Sequence, residues 1–199
     1  MKAINPLWIA VLALVLAARP DPKAQAAEDS RTVSPPCTMR TAACLQKIAS
    51  LYLEALRTHD GSKLPLAPDV RRTENALTNA RGPFEVRESF ARTHMIEAIR
   101  DIRYFTDVQK GEVVIYFRLD VDLKAVDADS KTKAGNTEYK VAVTVPAGTY
   151  TVHESERFKI DRGMITEIEI IAHVETGKGA GSGWPLPRDP VESEKADKH

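Results

Sequence analysis

The strongest constraint on the fold is a stretch of strict period-two alternation in the second half of the chain. Apolar residues occupy every second position there: Val113, Ile115, Phe117, Leu119, Val121 and Leu123. Such alternation is typical of a β-strand that has one face in an apolar core. A sheet with one apolar face needs a cover, so another element of the chain must present an apolar face to it.

The segments around this strand also have strand character. A strand is predicted at 96–108 before it, and three more at 139–145, 149–160 and 164–174 after it. Tight turns are expected at Lys110-Gly111 and at 161–163, because glycine accepts the backbone conformations that such turns require. The polar residues 127–135 predict a solvated loop.

The first half of the chain has helical periodicity instead. Apolar residues between positions 44 and 56 recur at spacings of three and four, which predicts a helix over about 39–58. A turn is expected at 79–83 and a short helix at 84–93. Helices followed by an antiparallel run of strands favour an α+β fold, in which a curved sheet folds over the first helix and leaves a pocket at one end.

Charge and composition exclude several classes of function. The chain has 28 Lys and Arg and 28 Asp and Glu, hence no net charge, and no basic block that would bind nucleic acid. Two cysteines are too few for a disulfide-rich scaffold or a four-thiolate zinc site. No pair of histidines has the spacing of metal ligands, so we expect neither a metal nor another cofactor.

The first 26 residues have the pattern of a cleavable signal peptide. A positively charged start precedes the uncharged apolar run 7–18, and residues 24–26 (AQA) have the small-x-small pattern of a cleavage site. The apolar run of 12 residues is shorter than the about 20 that a membrane-spanning helix needs. We therefore expect cleavage near Ala26 and a secreted or periplasmic product that leaves the membrane. An uncleaved N-terminal anchor is the alternative.

One domain is expected in the exported chain. Residues 27–36 are polar and read as a flexible lead, and residues 175–199 are rich in Gly, Pro and charge and read as a flexible tail. The domain itself is placed at 37–174.

Export would place the two cysteines in an oxidising compartment. Cys37 and Cys44 are seven residues apart, which within a straight helix is about 10 Å and exceeds the limit of about 7 Å for a disulfide. A disulfide therefore requires Cys37 to precede the helix, which the two prolines before it favour. Thr38 or Thr41 would then cap the helix. Two free thiols are the alternative.

The strand at 149–160 carries two carboxylates on one face. With a period of two, Glu154 and Glu156 share a face with Phe158 and Ile160, which belong in the core. Carboxyl groups on a half-buried face can have raised pKa values and act as general acid or base. The alternative is that this part of the strand projects past the rim of the sheet and both carboxylates are solvated.

The order of elements, with LYLEAL at 51–56 followed by THD at 58–60, resembles the nuclear transport factor 2-like superfamily, which includes SnoaL-like polyketide cyclases and ketosteroid isomerases. A closer resemblance, to a secreted branch without a known activity, rests on LPLAPDV at 64–70 and TEN at 73–75. The chain departs from that branch by Ala76, where glycine is usual, and by the long insert 124–148. The resemblance implies a cone-shaped curved antiparallel sheet wrapped over the N-terminal helices, a pocket and frequent homodimers.

In the resembled fold the segment that ends at Glu74 and Asn75 crosses near the mouth of the pocket. A carboxylate beside an amide would hold a polar ligand there. The alternative is that Asn75 forms a turn and Glu74 pairs with Arg71 or Arg72. The aromatic residues Tyr104, Phe117 and Tyr150 complete the set from which we expect ligand contacts.

These observations predict an exported protein that binds a small, partly apolar molecule in a pocket. One alternative is a cofactor-free lyase or isomerase with Glu74, Glu154 or Glu156 as general base. The other is a non-catalytic module that interacts through its sheet. The last strand favours a homodimer, because it has apolar residues on both faces: Ile165 and Ile171 on one, and Ile168, Ile170, Ala172 and Val174 on the other.

Overall fold

The computed structural model describes residues 33–124, 126–134 and 137–177, with the backbone alone for the two segments between 126 and 145. The predicted signal peptide at 1–26, the first part of the lead and the tail from residue 178 lie outside the described residues. Among the described residues, no helix is long and apolar enough to cross a membrane.

The long helix α1 spans Ala42–Thr58 and begins three residues later than predicted. Thr41 is extended and caps the helix, because its side chain accepts a hydrogen bond from the backbone N–H of Cys44. His59 ends the helix in the left-handed conformation, with φ 57°. The buried stripe of α1 follows the predicted spacing: Cys44, Leu45, Ile48, Ala49, Tyr52, Leu53, Ala55 and Leu56.

The disulfide between Cys37 and Cys44 is confirmed. Cys37 lies before α1 and the chain folds back, so that the two Cα atoms are 5.9 Å apart. This distance lies within the range that a disulfide requires. The bond fixes the lead segment to the first turn of the helix.

The main sheet has six strands in the order β2-β1-β8-β7-β4-β3, and it is curved but not closed. Its strands are β1 (Leu66–Glu74), β2 (Leu77–Arg81), β3 (Ile96–Asp107), β4 (Glu112–Leu123), β7 (Gly148–Asp161) and β8 (Met164–Thr176). The pairing of β1 with β8 is parallel, and the other pairs are antiparallel. A second, shorter helix α2 (Gly82–Phe90) connects β2 to β3. The α+β prediction is confirmed.

Two predicted connections are strands in the structure. The predicted loop at 127–135 is wrong, since β5 (Val126–Ala134) pairs along its whole length with β6 (Thr137–Val145) in a separate two-stranded sheet. The predicted turn at 79–83 is also wrong, because most of it belongs to β2. In both cases backbone pairing with an adjacent strand supplies the hydrogen bonds, so polar side chains do not prevent strand formation.

The turn between β1 and β2 consists of Asn75 and Ala76. Both residues have positive φ, 46° and 69°, and Glu74 pairs with Leu77 on either side of them. Positive φ at both central residues is typical of a two-residue type I′ hairpin. Asn75 therefore forms a turn, as the sequence alternative stated, whereas Glu74 lines the cavity.

The core lies between the inner face of the sheet and the two helices. Tyr52 on α1 makes edge-to-face contacts with Phe158 on β7, at 5.0 Å between ring centroids, and with Phe90 on α2, at 4.9 Å. The predicted faces of β7 are confirmed, since Phe158 and Ile160 are buried beside Glu156.

The last strand β8 differs from the prediction at Ile165. A register shift after Lys159 pairs Ile165 with Ile160, which places Ile165 on the inner face, where it is buried. Ile171 remains on the outer face and is 61% exposed. The outer face of β8 therefore has fewer apolar residues than the alternation predicted, because the bulge moves Ile165 to the inner face.

Candidate functional site

A cavity of about 140 Å³ lies between the inner face of the sheet and the two helices. Apolar side chains from α1, α2, β3, β4, β7 and β8 form most of its wall: Tyr52, Leu56, Phe90, Met95, Ile96, Leu119, Val121, Leu123, Tyr150, Val152, Ile170 and Val174. A concave site of this composition favours a small, largely apolar molecule.

Three carboxyl groups and one guanidinium enter this apolar wall from β1 and β7. Glu74 and Glu156 both pair with Ile170 on β8, so they occupy one row across three neighbouring strands. Two strand spacings separate their backbones by about 10 Å. Glu154 is the next residue of β7 on the same face, and Arg72 precedes Glu74 by two residues on β1. The sheet register therefore brings the four side chains together.

Arg72 is only 5% exposed and is held by three different elements. Its Nη1 donates to Ser89 Oγ on α2, at 2.6 Å, and to the Tyr52 hydroxyl on α1, at 3.4 Å. Its Nε donates to Asn79 Oδ1 on β2, at 3.0 Å. These bonds fix a positive charge beside the carboxyl groups.

Glu74 accepts a hydrogen bond from Asn79 Nδ2, at 2.8 Å. Burial raises the pKa of Glu74, while the charge of Arg72 and the bond from Asn79 act in the opposite direction. Asn79 thus bridges Arg72 and Glu74 and orients both side chains.

Glu154 and Glu156 are neighbours on the inner face of β7, and the carboxyl group of each shifts the pKa of the other. Burial, with a contribution from the charge of Glu74, raises the pKa of Glu154 to about 8. Burial and the neighbouring Glu154 raise the pKa of Glu156 well above its ordinary range, and its side chain is only 1% exposed. A pair of this kind retains a proton at neutral pH, so one member donates and the other accepts.

Two further features of the site concern hydrogen-bond donors and acceptors. The buried Oε2 of Glu156 has no hydrogen-bond partner among the described residues. Burial, and then the nearby Glu156, raises the pKa of Tyr52, so its phenol stays neutral and remains a hydrogen-bond donor. Within the described part of the chain, no group of three His, Cys, Asp or Glu side chains is arranged to hold a metal ion.

Four of the residues selected from the sequence line the cavity: Glu74, Tyr150, Glu154 and Glu156. Three others lie outside it. Asn75 accepts from the backbone N–H of Ala172, at 3.1 Å, the Tyr104 hydroxyl is bonded to Ser50 Oγ, at 2.8 Å, and Phe117 is buried in the core. Each of these side chains is already used by the fold.

Arg72 and Tyr52 line the cavity but are not among the site residues selected from the sequence. Tyr52 appeared only as a member of the apolar stripe of α1. Arg72 lies between Val70 and Glu74 at a spacing of two, and Val70 is buried. This alternation was the available signal that Arg72 faces the core with Glu74.

The comparisons with known proteins agree with this architecture. Residues 38–172 match a family described as a domain of unknown function, DUF8021. The chain belongs to the DUF8021 family. No curated protein matches the chain.

Solved structures show a common fold at low sequence identity. The epoxide hydrolase/cyclase-like enzyme SalBIII, described with pyran ring formation in polyether salinomycin, is 10% identical over 70% of this chain and 100% of its own, with a TM-score of 0.51. A putative polyketide cyclase from Pseudomonas putida KT2440 is 17% identical over 63% of this chain and 89% of its own, with a TM-score of 0.49. Another from Xanthomonas campestris pv. campestris is 18% identical over 64% and 88%, with a TM-score of 0.47. The DUF8021 chain thus has the nuclear transport factor 2-like fold that its sequence resembles.

Proposed function

We propose that this protein binds a small, largely apolar molecule in the cavity and transfers a proton on it. The observation that carries the proposal is the carboxyl pair of Glu154 and Glu156, which lines the cavity together with Arg72 in a largely apolar wall, with Glu156 fully buried. Both a binding protein and an enzyme would bind a small molecule in this cavity. The carboxyl pair adds the groups that a proton transfer requires.

Glu154 is suited to act as the base. Because its pKa is raised to about 8, its carboxylate form is a stronger base than an ordinary carboxylate, yet it is accessible near neutral pH. The proton would come from a carbon beside a carbonyl group, and the electron pair of the C–H bond would move toward the carbonyl oxygen. That proton then returns to another carbon in an isomerisation, or the electron pair expels a leaving group in a lyase reaction.

Glu156 is suited to stabilise the oxygen on which negative charge develops. A carboxyl group kept neutral by burial donates a hydrogen bond to such an oxygen. The Tyr52 phenol, also neutral, is a second donor near this position. The positive charge of Arg72 lowers the cost of an anionic intermediate in the cavity.

Ring closure or epoxide opening is a second candidate, and the same pair favours it. Glu154 would take the proton of an attacking hydroxyl group or water, while Glu156 would give its proton to the epoxide oxygen as the C–O bond breaks. The fold shared with SalBIII agrees with this chemistry. A module that acts only through its sheet is less favoured, because such a module needs no cavity lined by three carboxyl groups.

Deuterium exchange tests the proton-transfer proposal. Simple enolisable ketones and α,β-unsaturated ketones are incubated with the protein in D₂O, and deuterium incorporation is followed by mass spectrometry. We expect exchange by the unaltered chain, and an about 10²–10⁴-fold loss in the Glu154→Gln variant. Glu88→Gln is the matched control, since Glu88 is exposed on α2, and it should keep full activity. Equal activity of the Glu154→Gln variant and the unaltered chain would contradict the proposal.

We infer that the protein acts outside the cytoplasm as a domain spanning 37–174. The Cys37–Cys44 disulfide supports this location, because such bonds persist in oxidising compartments. The signal peptide and its cleavage near Ala26 stay predictions, which N-terminal sequencing of the exported product tests. The homodimer also stays a prediction, and light scattering at micromolar concentration tests it.

A further inference from the structure

A second concave surface lies on the outer face of the sheet, on the opposite side of the same strands from the cavity. This outer groove has a volume of about 770 Å³. The residues that define it here are Arg103, Phe105, Tyr116, His153, His173 and Glu175. They come from β3, β4, β7 and β8, which are adjacent in the sheet, so the groove crosses four strands.

Exposed apolar side chains form the floor of the outer groove and its border. Phe105 is 58% exposed and Tyr116 is 49% exposed, and their rings are in edge-to-face contact at 5.6 Å between centroids. Ile171, also exposed, lies two strands away in the row of Tyr116. A cluster of exposed aromatic and aliphatic side chains on a polar surface is typical of a docking site.

The outer groove also offers an unused hydrogen-bond donor. The Nη2 atom of Arg103 is buried and has no hydrogen-bond partner among the described residues. A buried donor without an acceptor is costly. An occupant that supplies a carbonyl oxygen would remove this cost once the Arg103 side chain turns its Nη2 atom toward the groove.

The chain leaves the sheet on the same face as the groove. The backbone N–H of Gly177 donates to the carbonyl of Thr149, and the carbonyl of Gly177 accepts from Thr151 Oγ1, both at 2.8 Å. Thr151 alternates with the inner residues Tyr150 and Val152, so its side chain is on the outer face. The last described residue is therefore fixed to the outer face, two residues beyond Glu175 in the groove.

We propose that the tail segment 184–187, with the sequence Trp-Pro-Leu-Pro, docks in the outer groove of its own chain. A residue before proline is restricted to extended conformations, so Trp184 and Leu186 favour a polyproline II segment. Such segments bind to grooves lined by aromatic side chains, and their backbone carbonyls are free to accept hydrogen bonds. Phe105 and Tyr116 provide the aromatic lining, and Arg103 provides the donor.

The length of the intervening chain fits this docking. Seven residues lead from Gly177 to Trp184, and they reach about 24 Å when extended. His173 lies four residues back along β8, or about 14 Å, and Tyr116 lies two strands across and six residues back, or about 22 Å. The histidine end of the groove is therefore within reach of Trp184, and the aromatic end within reach of Leu186. Because the segment is tethered, its effective concentration at the groove is high.

Tryptophan fluorescence tests the proposal, since the chain has two tryptophans and one of them is in the segment. In the full chain carrying Trp8→Phe, Trp184 is the remaining reporter. Docking predicts emission at shorter wavelength than that of free tryptophan and protection from acrylamide quenching. The Tyr116→Ala variant should lose both effects. Leu77→Ala is the matched control, because Leu77 is equally exposed but lies on β2, at the far edge of the sheet, and it should leave both signals unchanged.

Three results would overturn the proposal. The first is solvent-exposed emission from Trp184 in the Trp8→Phe chain, and the second is protection that survives the Tyr116→Ala substitution. The third is protection that is lost on dilution together with a dimer seen by sedimentation, because the occupant is then a second copy rather than the same chain. Far-UV circular dichroism of the Tyr116→Ala variant establishes that its strands are intact.

Discussion

At the scale of single residues, the side chains of the cavity differ from surface carboxylates in what surrounds them. Glu156 is enclosed by apolar side chains and by Glu154, so its charged form is disfavoured twice, by burial and by a like charge. Arg72 is a buried cation beside this pair, and its bonds to Tyr52, Ser89 and Asn79 hold it in place. The function proposed here depends on this balance between two carboxyl groups and one guanidinium.

The raised pKa values predict that stability falls as pH rises. The unfolded pKa of a glutamate is about 4.3, whereas the pKa of Glu154 in the folded chain is about 8. Between these two values the folded chain binds more protons than the unfolded chain, so the free energy of unfolding decreases with increasing pH. Urea unfolding at a series of pH values measures this slope.

The slope should be smaller in the Glu154→Gln variant, because glutamine does not titrate. Glu88→Gln, on the exposed face of α2, should keep the slope of the unaltered chain. A chain whose stability is constant across this pH window would show that the carboxyl pair ionises normally.

Arg72 should contribute to stability as well as to the chemistry of the site. In the Arg72→Met variant, Ser89 and Asn79 lose their donor while they remain in a partly or fully buried environment. We expect a loss of about 1–3 kcal/mol in the free energy of unfolding and a further rise of the pKa of Glu154. Arg71→Met is the control, since Arg71 is exposed on the other face of β1. Equal stability of the two variants would argue against a structural role for Arg72.

At the scale of elements, the β1–β2 hairpin aligns one side of the site. Its two-residue turn allows Asn79 on β2 to return beside Arg72 and Glu74 on β1, so that one amide serves both side chains. The cost of this turn falls on Ala76, which has a φ of 69°. Alanine is unfavourable in that conformation because its Cβ approaches the following carbonyl oxygen.

The Ala76→Gly variant should therefore be more stable by about 1 kcal/mol, because glycine takes the left-handed conformation without strain. Thermal unfolding followed by circular dichroism measures the gain. Ala91→Gly is the matched control, because Ala91 is exposed but has a right-handed φ of −59°, and glycine there should be neutral or destabilising. A destabilised Ala76→Gly variant would mean that the turn relaxes without strain.

At the scale of the whole molecule, the parallel pairing of β1 with β8 decides where the site lies. It places Glu74 in one row with Ile170 and Glu156, although β1 and β7 are distant in the sequence. The curvature of the sheet around α1 then leaves a cavity instead of a filled core. The Cys37–Cys44 bond fixes the lead segment to the first turn of α1, the helix that carries Tyr52 further along.

The disulfide should stabilise the whole domain. Replacement of both cysteines by serine removes a short cross-linked loop, and we expect a loss of about 2–3 kcal/mol in the free energy of unfolding. Urea unfolding of the oxidised chain and of the double variant Cys37→Ser, Cys44→Ser gives the difference. Reduction of the unaltered chain should lower its stability to that of the variant, and no change on reduction would contradict the prediction.

The sequence determined the features that depend on neighbouring positions along the chain. The helical stripe of α1, the alternation of β4 and the shared face of Glu154 and Glu156 were all predicted, because periodicity is a local property of the backbone. Local patterns did not predict β5 at 126–134, because its polar residues indicated a loop. Local patterns also missed the bulge in β8 that changes the face of Ile165.

Only the tertiary structure decided which of these residues meet. The contacts of Arg72 with Tyr52 and Ser89 join β1, α1 and α2, and no spacing in the sequence encodes them. Asn75 and Tyr104 were plausible ligands by residue type, but the fold uses their polar groups for its own hydrogen bonds. Strand register and burial act over the whole domain, and they determine both the position and the pKa of Glu154 and Glu156. Residue type and periodicity are fixed locally. The proximity of these side chains and their removal from water arise only when the curved sheet packs against α1.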